Sequence, residues 1–214
     1  MKIFIIDYES GNVESVVNAL KNIDPKINFI ISSSINEIKS ATHLILPGVG
    51  AFNDCMNGLK SSEGFLNEMR KQVIKEKKPF LGICVGMQVL ASLGLENGEH
   101  QGLGFINGRV EKINSKIQEG QDLKIPHMGW NNLIIKNSKH QLLKNIAEGD
   151  HFYFANSYHF ISQNENNILA YVQYGNNKIN SIIAKDNVIG VQFHPEKSGD
   201  RGLCFLKNFI DWRP

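Results

Sequence analysis

The chain has 214 residues, 42% of them hydrophobic, and a formal net charge of +2 from 23 basic and 21 acidic residues. That length and apolar content are enough for a sizeable core, so residues 1–214 are expected to form a single domain. The near balance of charge excludes a nucleic-acid footprint and electrostatic attachment to a membrane, and no apolar run approaches membrane-spanning length.

The first segment, KIFIID, reads as a buried strand over residues 3–6 with no basic-then-apolar leader before it, so a cytoplasmic location is expected. Cys55, Cys84 and Cys204 are far apart, odd in number and without a CxxC, which argues against a disulfide framework and for a reducing compartment. Val13, Val16, Val17 and Leu20 mark one face of a helix. Residues 27–31 and 43–46 read as further strands. The second of these ends in the turn Pro47-Gly48-Val49-Gly50, ahead of a helical stretch that contains Leu59 and residues 65–74.

After the KEKK run at Lys75 to Lys78, a solvated helix end, residues 79–83 form the fourth strand. Strands alternating with helices predict an α/β fold with an open, mostly parallel sheet covered by helices and with its site at the carboxyl ends of the strands. From Gly104 to Tyr174 the pattern changes to strands without long helices, at 105–113, 130–135, 151–155 and 168–174. Antiparallel strands are therefore expected to be inserted in the second half. Residues 188–193 return to the buried type, and Leu203, Leu206, Phe209 and Ile210 line one face of a closing helix.

Chemistry concentrates where the fourth strand ends. In KPFLGICVGMQVL, Cys84 meets a small-residue turn, with Gly82 and Gly86 two residues away on each side and an amphipathic segment after it. This is the G-x-nucleophile-x-G pattern of a nucleophile elbow, in which small flanking residues relieve crowding and the helix start favours a thiolate. A purely structural cysteine needs neither glycine.

The second element is Val191-Gln192-Phe193-His194-Pro195-Glu196, where His194 and Glu196 are two residues apart and, on an extended chain, share a side. A carboxylate beside an imidazole sets its tautomer and stabilises the imidazolium, which suits a base paired with a cysteine. His-x-Glu also occurs in zinc deaminases, but those need a P-C-x-x-C that this chain lacks, so neither a metal nor a cofactor is expected. The Pro-Gly-Val-Gly turn reads by itself as a strand end. Beside an elbow it also reads as half of an oxyanion hole, from Val49 and Gly50, with the Val85 N–H as the other half. His43, His100, His140, His151 and His159 have no partner at ligand or triad spacing, and His127 reads as a loop cap.

GICVGMQ around Cys84 together with FHPEKS from Phe193 resembles the class I, triad-type glutamine amidotransferases. IDYESGNVESV, LPGVGAF, PHMGWN and the HPEKS ending are similar to the glutaminase subunits of imidazole glycerol phosphate synthases. The resemblance implies a glutaminase in which Cys84 attacks the glutamine side-chain amide, His194 acts as base, and ammonia passes to a cyclase partner with a (β/α)8 barrel in a heterodimer serving histidine biosynthesis. It implies glutamine contacts from Gly48, Gln88, Glu96, Ser157 and Tyr158, and a partner interface that includes Trp130, Asn131 and Lys197. Read without the resemblance, Gln88, Glu96 and Tyr158 are surface or core filling, and Trp130 is equally a core tryptophan. A barrel takes roughly 250 residues, so the partner is expected as a separate chain.

Two departures stand out: Tyr8-Glu9-Ser10-Gly11-Asn12 where relatives often read Y-G-x-G-N, and Asn156 where relatives often carry histidine. They keep open a paralogue that supplies another acceptor, such as a surface-sugar amidating synthase. A non-catalytic subunit with the same fold is a third reading, opposed by the intact Cys84, His194 and Glu196.

Overall fold

The computed structural model describes residues 1–8, 12–118 and 121–214. The segment Glu9-Ser10-Gly11, which carries the first departure, lies outside the described residues. The first half alternates strand and helix: β1 (Ile3–Ile6), α1 (Val13–Ile23), β2 (Phe29–Ser32), α2 (Ile35–Ser40), β3 (His43–Gly48), α3 (Phe52–Ser61), α4 (Phe65–Ile74), β4 (Phe80–Cys84) and the single turn α5 (Val85–Gln88). The strands β1, β3 and β4 are buried throughout because helices cover both faces of a parallel sheet.

The second half is strand-rich, with β5 (Leu93–Gly94), β6 (His100–Gln101), β7 (Gly108–Lys112), β8 (Lys116–Gln118), β9 (Gln121–Asp122), β10 (His127–Asn132), β11 (Ile134–Ile135), β12 (His151–Asn156) and β13 (Tyr158–Ser162). Then follow β14 (Ile168–Tyr174), β15 (Asn177–Lys185), β16 (Val188–Val191) and the closing helix α6 (Gly199–Asp211). The large sheet has the order β11-β14-β15-β16-β4-β3-β1-β2. It is parallel from β2 through β16 and antiparallel from β16 outward to β11. A smaller sheet, β13-β7-β5-β6, and the β10-β12 pair rise beside the carboxyl ends of the parallel strands. No helix among the described residues is long and apolar enough to cross a membrane.

The α/β sheet with antiparallel additions agrees with the sequence expectation, and the differences have local causes. Helix α2 is too short to display a period. Strand β15 carries Asn180 and Ser181 inward, where both find acceptors: Asn180 donates to the Phe160 carbonyl of β13 at 3.0 Å and Ser181 to the Ile179 carbonyl of its own strand at 3.2 Å. Strand β13 follows β12 after Ser157 alone, beyond the strand expected over residues 151–155. The segment after Cys84 is not amphipathic: α5 is one turn long and buried on every side.

The elbow is held by close backbone approach. A Cβ on Gly86 would lie 2.0 Å from the Leu46 carbonyl oxygen of β3, and one on Gly82 would lie 2.3 Å from the Gly86 carbonyl oxygen. Both contacts are to backbone, which cannot swing aside. Gly86→Ala is therefore expected to destabilise the fold by about 2 kcal/mol or more, lowering the melting temperature by roughly 4–8 °C for a chain of this size. A thermal melt indistinguishable from wild type would show that the elbow is not packed in this way.

Candidate active site

Cys84 closes β4 with φ 54° and ψ −110°, a conformation that costs a non-glycine residue of order 1–3 kcal/mol. The turn lifts the thiol out of the sheet at the carboxyl end of the strand. Beside it, β16 ends and the chain continues through Gln192, Phe193 and His194 into a 3-10 turn, Pro195–Lys197. His194 Nδ1 lies 2.8 Å from Glu196 Oε1, and the two side chains are only 5% and 1% exposed. That pairing comes from the 3-10 turn, which folds Glu196 back under the imidazole, and not from the extended geometry expected from the spacing.

With Nδ1 facing Glu196, Nε2 is left on the side of Cys84, the neighbour that together with Glu196 raises the imidazole. Burial by itself pushes His194 down. The hydrogen bonds and negative charges of Cys84 and Glu196 outweigh it and hold the imidazole well above the ordinary histidine range. Ser198 secures the turn from below, donating to the His194 carbonyl at 2.6 Å and accepting from the Tyr153 N–H at 3.0 Å.

In front of the thiol is a cavity of about 220 Å³ bounded by Gly50, Cys84, Val85, Gln88, Glu96, Ser157 and Tyr158, with Pro126, Ala155 and Asn156 completing the wall. A larger depression of about 570 Å³ lies elsewhere, lined by residues that include Lys77, Lys139 and Arg213, but it holds no nucleophile and the smaller cavity is the one with chemistry. Gly48 is not on the cavity wall. It pairs in register with Cys84, and a Cβ there would lie 2.4 Å from the Gly86 nitrogen, so its place is to let β3 pass behind the elbow. Val49 is also off the wall, whereas Gly50, with φ 85°, forms part of it.

The polar groups of the cavity are anchored. Glu96 Oε2 accepts from the Phe52 N–H at 2.8 Å, at the start of α3, which leaves its other oxygen for a ligand. Gln88 Nε2 donates to the Tyr158 carbonyl at 3.0 Å and to Gln192 Oε1 at 3.1 Å. Both of its N–H groups are thus committed, and Gln88 has only Oε1 to offer a ligand. Asn156 donates to the Tyr158 carbonyl at 3.0 Å, while its Oδ1 has no hydrogen-bond partner among the described residues.

Gln192, which no sequence motif marks out, donates from Nε2 to Cys84 Sγ at 3.7 Å. A signal for it exists in the sequence: a lone amide at the end of the apolar run Val188–Val191, two residues before His194.

The three residues expected at an interface separate into two kinds. Trp130 is 56% exposed, beside Met128 at 65%, on the outward side of β10, so it is not a core tryptophan. Lys197 is exposed on the 3-10 turn. Asn131 instead spends its side chain inside the chain, donating to the Gln173 carbonyl at 3.0 Å and accepting from the Asn132 N–H at 2.8 Å. His127 is not a loop cap: its buried ring stacks between Phe154 and Tyr174, with centroids 4.9 and 4.1 Å away. Burial there pushes its imidazole down to about 4. Among the described residues no cluster of histidine, cysteine or carboxylate side chains is arranged to hold a metal.

Residues 4–212 match the family described as Glutamine amidotransferase class-I. The chain is 41% identical over 218 residues to "Imidazole glycerol phosphate synthase subunit HisH" of Rhodospirillum rubrum, covering all of both chains. It is 40% identical to the protein of the same name from Pelagibacter ubique, covering 99% of this chain and all of that one. Among solved structures, PurLQS from Thermotoga maritima superposes with a TM-score of 0.72 at 17% identity, covering 98% of this chain and 97% of that one. A structure described as a glutamine amidotransferase gives 0.70 at 21% identity, covering 97% of this chain and 98% of that one. At those identities the structural likeness speaks for the fold alone.

The geometry predicts an order of reactivity. Carboxamidomethylation of Cys84 at neutral pH, followed by peptide mass spectrometry, is expected to slow by about tenfold in Glu196→Gln and by about a hundredfold or more in His194→Ala. The retained glutamine still accepts from the imidazole, whereas alanine removes the base. Equal wild-type rates in both variants would take His194 and Glu196 out of the mechanism.

Proposed function

The chain belongs to the class-I glutamine amidotransferases, and on that premise we propose that it is the glutaminase subunit of an imidazole glycerol phosphate synthase, supplying ammonia for histidine biosynthesis. The observation that carries this reading is the placement of an elbow cysteine beside a carboxylate-backed histidine at a small polar cavity, in a chain matched end to end by relatives of that name.

L-Glutamine enters with its side-chain amide toward Cys84. Its α-ammonium group pairs with the free oxygen of Glu96 and with Gln88 Oε1, and Ser157 and Tyr158 close the cavity round the amino-acid end. Cys84 Sγ attacks the amide carbon, a C–S bond forms, and the carbonyl electron pair moves onto oxygen. The Val85 N–H, at the start of α5 and without a partner inside the helix, receives that charge together with an N–H from Val49 or Gly50. His194 gives its proton to the departing nitrogen, ammonia leaves, and a γ-glutamyl thioester remains. Water, deprotonated by His194, then cleaves the C–S bond to release glutamate and restore the thiolate. Glu196 holds the imidazole in position and stabilises its charge through both steps.

Residues 1–214 act as one domain, a reading supported by a core that runs unbroken from β1 to α6. The free Cys55, Cys84 and Cys204 are consistent with a reducing, cytoplasmic setting. The partner is a separate cyclase chain with a (β/α)8 barrel that forms a heterodimer through the face around Trp130, Met128 and Lys197. The exposed apolar pair on β10 supports this, since aromatic and methionine side chains are enriched at interfaces. That face also has a short route to the site. Trp130 leans edge-on against Tyr153 of β12, and the Tyr153 carbonyl accepts from the His194 N–H at 2.9 Å.

Cys84→Ala is expected to abolish glutamine use while the assembled complex still makes product from ammonium salts; appreciable glutamine-dependent turnover by this variant would sink the assignment. The alkaline limb of kcat/KM is expected well above the ordinary histidine midpoint of about 6.5, because Cys84 and Glu196 retain the imidazolium that protonates the leaving group. Removing the charge in Glu196→Gln should move that limb to lower pH by roughly one pH unit; a limb that stays in place would exclude Glu196 from the protonation. The isolated chain is expected to hydrolyse glutamine about 100- to 1000-fold more slowly than the complex with ligand-loaded partner, the value of one oxyanion donor. The glycine-containing turn at Gly50 can present its N–H only when the partner is in place. Equal rates alone and in complex would rule out gating.

A further inference from the structure

Gln192 is a fully buried amide that neither the triad nor the cavity wall accounts for. Its backbone N–H extends the β15–β16 pairing by bonding to the Ser181 carbonyl at 2.9 Å, which puts its side chain, like that of His194 two residues on, toward Cys84. The orientation of its amide follows from a chain of obligatory donors. The Tyr158 carbonyl can only accept, so Gln88 Nε2 faces it, and the second hydrogen of that nitrogen goes to Gln192 Oε1. Gln192 Nε2 is thereby left facing Sγ at 3.7 Å. Flipping either amide would set like groups against each other.

The sulfur is therefore the terminal acceptor of a hydrogen-bond chain that starts at the Gln88 amide, which donates both to the β13 backbone and to Gln192. Its proton, when present, cannot point at Gln192 and is directed to His194. We propose that Gln192 is a positioning residue that holds the Cys84 sulfur against the elbow and stabilises its thiolate by donating from Nε2. This rests on the reading of Cys84 as the nucleophile. A fixed amide dipole supplies this without a titrating charge. The ionisable groups round the sulfur are His194, with Glu196 behind it, Glu96 across the cavity, and Tyr8, whose phenol burial and the neighbouring Cys55 keep neutral.

The test is the rate of Cys84 carboxamidomethylation by iodoacetamide as a function of pH in the full chain, read by peptide mass spectrometry with Cys204 as internal reference. Gln192→Met keeps the length and removes the donor. Gln192→Glu also replaces the amide donor, keeps an acceptor for Gln88 and sets a carboxylate against the thiolate, so its shift is expected to be at least that of Gln192→Met. In both variants the midpoint of the profile is expected to move to higher pH and the rate at neutral pH to fall by roughly tenfold, as for loss of one hydrogen bond to an ionised acceptor. A profile that coincides with wild type in either folded variant overturns the proposal, and Gln192→Glu decides if Gln192→Met does not fold. A wild-type Cys84 that reacts no faster than Cys204 overturns the nucleophile reading and this inference together. A reactive Cys84 with an unmoved profile in the variants overturns this inference alone.

Discussion

The contact on which the site depends is the one between the Gly86 backbone and the Leu46 carbonyl of β3. Because no side chain intervenes at Gly82, Gly48 or Gly86, the chain can turn at the end of β4 within the width of one peptide and start α5 directly against β3. Cys84 is forced into left-handed backbone by that turn, and its strain is offset by the packing of an elbow buried on all sides. Loosening the approach would let the turn relax and lower the thiol back toward the sheet, away from His194.

Once the sulfur is fixed, its neighbours come from places far apart in sequence. One short stretch after β16 brings Gln192 and His194 to the sulfur by strand alternation and then Glu196 to the imidazole by a 3-10 turn. The inserted strands complete the enclosure, with β12 supplying Asn156, β13 supplying Tyr158 and Ser157 lying between them. Gln88 ties the two halves together by bonding at once to β13 and to Gln192. The cavity wall and the nucleophile's surroundings are thus one hydrogen-bonded unit, in which a change at the wall is felt at the sulfur.

The same economy applies to the oxyanion turn and the outer face. Glu96 accepts from the Phe52 N–H two residues after Gly50, so a carboxylate on the wall also holds the far end of the turn. On the other side, β12 lies between the exposed Trp130 and His194, touching the first by ring contact and the second through a backbone hydrogen bond. An event at the exposed face therefore has two rigid strands, not a flexible loop, between it and the imidazole.

The sequence by itself determined the order of β1 to β4 with α1 and the α3–α4 stretch between them, the elbow around Cys84 and the partnership of His194 with Glu196, because these depend on periodicity and on residues a few positions apart. Only the tertiary structure decided the rest. Asn180 makes β15 look polar until its partner on β13 is seen, and His127 looks like a loop residue until Phe154 and Tyr174 stack on it. Trp130 could belong to core or surface until strand pairing turned it outward, and the Asn131 amide takes its partner from the Gln173 carbonyl of β14. Gln192 gained a meaning only when β16 was laid beside β4. The physical reason is the same in each case: a hydrogen-bonding side chain takes its role from the partner it meets, and that partner is chosen by the packing of elements distant in the chain.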